Sequence, residues 1–341
     1  MFENLLGFAE FGFPKSHGAA FGLLAYQSTW LKHYYLPEYL CALLNEQPMG
    51  FYPPHVLTKD AQRHGVDIRR PDINRSAAKC TVEEVTPDDV QTDLRGAVRV
   101  GLGYVKAVGE AGASRIEGAR ERTGPYLSLF DFVQRTGLSR EASTNLIQVG
   151  AFDAFGLNRR ELIWQLGLFA GGFERSQLQR SRESQMRLHL PTVQDEVRLN
   201  DFSAYQRMAA DYAVLRLSPD SHPMQFLRPM LGEGVVSSLH LRSMTAGARV
   251  DVAGLVVCRQ QPLTARGIIF LLLEDEFGMV NALVSRNLVE AHRDIVRTAP
   301  FIRVRGLLEE RAGEQRTLIV TELEQLLPGD VLAMPRGKEF G

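Results

Sequence analysis

A chain of 341 residues with 45% apolar and 23% charged side chains has the balance of a globular protein, long enough for about two or three modules, and excludes a disordered or membrane-like chain. Its formal net charge of -1 gives no global pull toward phosphate, so any nucleic-acid role must rest on local basic patches. Cys41, Cys80 and Cys258 form no CxxC pair, no basic leader opens the chain and no run of about 18 apolar residues occurs, so no metal site, disulfide framework or membrane span is expected and a cytoplasmic setting is.

In chain order, Ser16 reads as the N-cap of a helix to Tyr35, with Phe21, Leu24, Leu31 and Tyr35 at helical spacing. Pro37 starts a second helix carrying Tyr39, Leu40, Leu43 and Leu44, which the Pro48 to Pro54 stretch ends. A short helix, Gly65, a brief strand over Val66 to Ile68 and a polar turn at Pro71 to Asn74 follow as a connector. From Val98 to Phe169 the pattern is helical, with Gly101, Gly103, Gly109, Gly124, Gly137, Gly150 and Gly156 separating short amphipathic runs. The Arg-, Gln- and Ser-rich stretch Glu174 to Asn200 reads as a linker or solvated helix. Beyond Ala248 the pattern turns to strands: the alternating Val250 to Val256, then Ile268 to Leu273, Met279 to Val284, Ile302 to Leu308 and Thr317 to Leu323. A helical run, Asn287 to Val296, sits between the third and fourth. That order matches an OB-fold, a small barrel often used to hold single-stranded nucleic acid.

The segment from Phe11 through Lys15, Ser16 and His17 to Phe21, continuing through Tyr26-Gln27-Ser28 to Trp30, resembles the last fingers helices of bacterial C-family DNA polymerases. The resemblance continues through Leu43 to Tyr52 and through Gly65-Val66-Asp67-Ile68 to Ser76, and its Gln47-Pro48-Met49-Gly50-Phe51-Tyr52 string is similar to the error-prone branch, relatives of the replicase alpha subunit. Lys15, Ser16 and His17 at a helix start suit an anion, and the family resemblance places them and Tyr26 near the incoming nucleotide; the plain alternative is a Ser cap with a polar first turn. Tyr26, Trp30, Tyr34 and Tyr35 fit base stacking less well than they fit a core.

Val105 to Ile116 and Gly150 to Ile163 resemble the tandem helix-hairpin-helix unit of the same polymerases. There a glycine turn lets backbone N–H groups at a helix start meet a DNA phosphate without reading sequence. Lys106, Gly109, Arg115, Gly156, Asn158, Arg159 and Arg160 are the expected contacts; Ala107 stands where the family usually has glycine, and a ligand-free helical bundle is the alternative. In the barrel, Arg259, Arg266, Arg303 and Arg305 are candidate backbone contacts, although Arg303 and Arg305 fit a solvated strand face equally. Gln165, Leu166, Leu168 and Phe169 are similar to the peptide that binds bacterial sliding clamps, but they continue a helical run, which favours a core role.

Two-metal phosphoryl transfer needs carboxylates held close together. Asp88-Asp89 and Glu274-Asp275-Glu276 are the acidic clusters, and neither resembles the family's palm motif, so catalytic residues are expected to be absent. The family's catalytic aspartates lie upstream of the fingers, which implies a fragment, a split product or a partial reading frame. The expected fold is multidomain α+β: end of the fingers over 1–58, connector 59–97, tandem helix-hairpin-helix 98–170, linker with helices 171–246, OB-fold 247–328 and tail 329–341. The resemblance implies the DNA-handling part of an error-prone polymerase in damage-induced mutagenesis and translesion synthesis. It brings primer-template duplex, single strand, the upstream polymerase half and a sliding clamp, reached directly or through a Y-family-like accessory protein, as partners. No cofactor is expected in this chain, and magnesium in the parent enzyme. A non-catalytic DNA-binding or adaptor protein of a repair complex and a fragment of the replicative alpha subunit are the rivals.

Overall fold

The structure, a computed structural model, describes residues 15–50, 52–85, 95–168, 198–311, 315–326 and 338–340. Phe11 to Pro14, Phe51, Asp88-Asp89, Phe169, residues 171–197 of the expected linker and most of the expected tail lie outside the described residues.

Helix α1 (Lys15–Tyr34) precedes α2 (Leu36–Asn45) and α3 (Pro54–Arg63), both of which carry proline in the first turn, where its missing N–H costs nothing. Leu36, Leu40, Cys41 and Leu44 form the buried face of α2. Helix α1 corrects an expectation: none of its residues is buried, and Phe21, Leu24, Tyr26, Trp30, Leu31 and Tyr34, with Tyr35 just beyond it, are all exposed rather than core. The spacing makes the apolar stripe, but no described element covers it.

Strands β1 (Val66–Arg69), β2 (Thr81–Glu83) and β3 (Gly96–Arg99) form a small sheet in the order β1-β3-β2, with β1 parallel and β2 antiparallel to β3. The helical reading from Val98 therefore begins one element too early. Ala97, Val98 and Val100 are fully buried, and a fully buried strand shows no alternation by which to recognise it. Helices α4 (Gly109–Thr123), α5 (Leu129–Thr136), α6 (Arg140–Gln148) and α7, over 159–168, follow. One core joins Leu40 and Leu44 of α2 to Ile68, Val98, Ile116, Phe132, Leu146 and Leu162. The expected boundaries after 58 and 97 thus run through a single packed unit, in which Ile68 and Val98 are register partners.

The described part of the expected linker is packed structure: α8 (Ala204–Leu215), α9 (Pro223–Leu227), β4 (Val235–Val236) and α10 (Ser238–Leu241). Val214, Leu215 and Leu217 complete the helical core, while Met224, Leu227 and Leu231 pack on Ala253, Leu255 and Phe301. Arg70 fixes this bridge to the first core. It grips the fully buried Asp211 with two N–H groups at 2.6 and 2.9 Å, reaches Asp220 at 2.6 Å and donates to the Val149 carbonyl at 3.1 Å. Burial opposes the Arg70 charge, but Asp211 and Asp220 outweigh it and raise its pKa.

The second core is a closed five-stranded barrel of β5 (Arg249–Gln260), β6 (Ile269–Glu274), β7 (Met279–Val284), β8 (Phe301–Arg311) and β9 (Gln315–Gln325), joined in the order β5-β6-β7-β9-β8 and back to β5. Only β7 and β9 run parallel, so the strand order and the helical insert, α11 (Arg286–Ala291) and α12 (Arg293–Thr298), are those expected for an OB-like barrel. Closure depends on β5, whose residues up to Leu255 pair with β8 and whose residues from Leu255 pair with β6. A bulge at Arg305/Gly306 bends β8, and a Cβ on Gly306 would lie 2.0 Å from the Ile319 carbonyl oxygen, so only glycine fits. Within the expected tail, β10 (Lys338–Phe340) lies parallel to β5.

Candidate nucleic-acid interface

The first hairpin turn, residues 105 to 109, leads into α4. Its N-cap residue, Val108, offers no side-chain cap, and Lys106, Ala107 and Gly109 are exposed around it. The first amides of a helix have no partner inside it, so an uncapped exposed start of this kind suits an anion. Arg115 is exposed one turn further along α4, whereas Glu110 in the first turn opposes an anion. Gly109 and Ala107 both adopt left-handed backbone, with φ of 59° and 67°. Ala107 therefore keeps the turn that glycine would make without strain, at a cost of about 1 kcal/mol. Replacing Ala107 with Gly is expected to raise the unfolding free energy by up to about 0.5 kcal/mol in urea titrations, since strain relief exceeds the added chain entropy. A lower midpoint would contradict the strain.

The second hairpin is closed. Gly156 makes the expected left-handed turn with φ of 68°, but the start of α7 already has its oxygens. Asn158 Oδ1 accepts the Arg160 N–H at 2.8 Å, and Asp201 Oδ1 accepts the Arg159 N–H at 3.2 Å. Asn158 donates to the Leu199 carbonyl, Glu161 accepts from the Leu199 N–H at 3.1 Å, and Arg160 lies 5.3 Å over the Phe202 ring and donates to Gln206. The expectation that Arg159 faces a duplex is corrected, while Arg160 is half-buried. Arg159 is 3% exposed and spends its donors on Asp153 and the Gln148 carbonyl, because a buried guanidinium must have its N–H groups bonded. Gly150 makes room for it: a Cβ there would sit 2.2 Å from an Arg159 nitrogen.

The barrel cations divide in the same way. Arg259 is buried and donates to the Val296 and Ala299 carbonyls, capping the end of α12. Arg303 holds both oxygens of Asp251 at 2.8 Å, and Arg305 bonds Asp251 at 2.8 Å and Glu322 at 3.0 Å. Partial burial opposes the Asp251 charge, but Arg303 and Arg305 hold its pKa below the ordinary value. Arg259 and Arg303 serve the fold, whereas Arg305, exposed but paired with Asp251 and Glu322, and Arg266, exposed with φ of 49° in the β5–β6 loop, are the outward cations of the expected set.

Residues 65–162, which contain both hairpins, match a family model described as a helix-hairpin-helix motif. The chain is 41% identical over 317 residues to an error-prone DNA polymerase of Anaeromyxobacter sp. (strain K), covering 92% of this chain and 27% of that protein. It is 40% identical over 313 residues to one of Mycolicibacterium paratuberculosis, again 92% and 27%, and 38% identical over 329 residues to one of Pseudomonas syringae pv. tomato, 96% and 30%. The chain is homologous to the error-prone DNA polymerases. It spans between a quarter and a third of the length of these relatives.

The remaining candidate residues lie in the fingers-like helix, in α7 and in the barrel. Lys15, Ser16 and His17 occupy the first described turn of α1, exposed, with the His17 and Phe21 rings 4.3 Å apart and Tyr26 67% exposed. The clamp-like string lies in α7 with Leu166 buried, Gln165 half-buried and Leu168 exposed, so the extended form such a peptide needs is not the one present. Glu274, Asp275 and Glu276 are spent on structure. Glu274 meets Arg63 at 3.1 Å, Asp275 accepts from Ser238, Phe277 and Gly278, and Glu276 pairs with Arg228. Among the described residues no group of three or more His, Cys, Asp or Glu is placed to hold a metal ion, and no helix is long and apolar enough to cross a membrane.

Proposed function

We propose that this chain is the DNA-handling C-terminal portion of an error-prone, DNA-directed DNA polymerase that acts in damage-induced mutagenesis and translesion synthesis. The observation that carries this reading is the open first hairpin, with Lys106 exposed beside an uncapped helix start, in a chain homologous to such polymerases. The hairpin holds the duplex backbone without reading sequence, and the barrel, with Arg266 on its loop, tracks single strand. Nucleotide transfer and its magnesium belong to the upstream half: the described carboxylates do not fit such an ion, and no catalytic step is assigned to them. The exposed apolar residues of α1 support that half as its partner. Because Leu166 is buried, the clamp is reached through an accessory protein rather than through residues 165–168.

Titration of two unrelated duplexes over a range of salt is expected to give similar affinities that fall steeply as salt rises. The same chain should extend a primed template only when the upstream half is added. Strong preference for one duplex, or synthesis by the chain alone, overturns the reading.

A further inference from the structure

Lys106 does not stand alone at the open hairpin. Its backbone N–H donates to the Val214 carbonyl at 3.2 Å, and its own carbonyl accepts from Asn145 Nδ2 at 2.8 Å, so the turn is clamped between α6 and the end of α8. Arg216 follows two residues after Val214, outside the matched hairpin motif. It is exposed, while its neighbours Leu215 and Leu217 are buried in the helical core, so its backbone is held from both sides. It also ends α8 in left-handed backbone with φ of 62°, bonding its N–H to the Tyr212 carbonyl, a place where helices ordinarily put glycine.

Among the described residues neither the Lys106 ammonium nor the Arg216 guanidinium has a hydrogen-bond or ion-pair partner. That sets them apart from Arg70, Arg159, Arg228, Arg303 and Arg305, each of which is matched to a carboxylate. In a chain of net charge -1, two unmatched cations on segments joined by the bond from the Lys106 N–H to the Val214 carbonyl, two residues before Arg216, offer local positive charge, with Glu110 as the acidic residue in the first turn of α4.

We infer that Arg216 and Lys106 together seat adjacent phosphodiester groups of a DNA duplex, so that the hairpin site is completed by the bridge helix α8. This rests on the reading of the first hairpin as the duplex-holding element. A guanidinium presents a planar fork to a phosphate, and a glycine in its place would relieve the backbone while losing the contact.

The test uses the full chain and three variants, Arg216→Ala, Arg216→Gly and Lys106→Ala, with unfolding in urea measured beside binding of an unrelated duplex and of a single strand. Arg216→Ala and Arg216→Gly should each weaken duplex binding and lower the slope of log affinity against log salt by about 0.9, which shrinks the wild-type advantage by about eightfold for each tenfold rise in salt. Arg216→Gly should do so while raising the urea midpoint, which separates lost contact from lost fold. Duplex binding that is unchanged in both Arg216 variants but weakened by Lys106→Ala overturns the role of Arg216 and leaves the hairpin reading standing. Unchanged binding in all three overturns both. An equal loss on single strand overturns the assignment to duplex.

Discussion

Replacing Arg70 with Ala is expected to lower the unfolding free energy by about 3–5 kcal/mol, because it leaves Asp211 buried without its counter-charge. Asp211 is 0% exposed and, among the described residues, would keep only the Ser218 hydroxyl, at 2.8 Å, as a partner. The Val149 carbonyl, which ends the α6 region, loses its donor at the same time. The loss should show as a shift of the urea midpoint with the slope kept, provided the bridge and helical core still unfold together. Replacing the pair as Arg70→Met with Asp211→Leu should recover most of the loss, since removing both charges leaves none stranded. A single variant as stable as wild type would show that Asp211 takes up a proton at no cost, and that the bridge is held by Val214, Leu215 and Leu217 alone.

Acid is expected to weaken the joint between the helical core and the barrel in a window set by His55. This ring is 2% exposed and packs edge-on against Tyr212 at 5.9 Å. Burial pushes its pKa down to about 4; Glu274 pulls the other way, and His222 and Lys59 add to the fall. Arg63, which donates to Glu274, adds another positive charge on the same side, and burial pushes Lys59 itself down to about 8. The folded pKa lies below the ordinary value of about 6.5, so in the window from about 6.5 down to 4 the unfolded chain binds a proton that the folded chain does not. Stability should therefore fall with pH through that window, by about 3 kcal/mol at most. Glu83 acts lower still: partial burial opposes its charge, but Arg99 and Arg69 hold its pKa down to about 2, so its contribution goes only in stronger acid. Urea midpoints between pH 7 and 4.5 for wild type and His55→Leu separate the two. A wild-type midpoint that stays flat over this range would mean that His55 is protonated in the folded protein.

Local pattern determined much of the architecture. The alternation of Val250, Val252 and Val256 and the strand, helix, strand order beyond them specify the barrel, because one face of each strand has to meet a common core. The glycines at 109 and 156 specify the hairpin turns, because left-handed backbone is cheap for that residue alone. The motifs at Lys15 to Tyr26 and Gln47 to Tyr52 pointed to the error-prone DNA polymerases to which the chain is homologous.

Which cations remain without a partner was decided by tertiary structure. Arg303 and Arg305 are neutralised by Asp251, some 52 and 54 residues away, the donors of Arg259 are satisfied by carbonyls 37 and 40 residues on, and the start of α7 is capped by Asp201, 42 residues from Arg159. Only the Asp153 to Arg159 pair, six residues apart, was close enough to be suspected from the chain. A buried guanidinium is stable only when its donors are satisfied, and the groups that satisfy it come from whichever strand or helix the fold brings there. The same holds in reverse for Arg216, an unremarkable residue in sequence that the fold carries two residues beyond the Val214 carbonyl bonded by the Lys106 N–H, with nothing to neutralise it among the described residues.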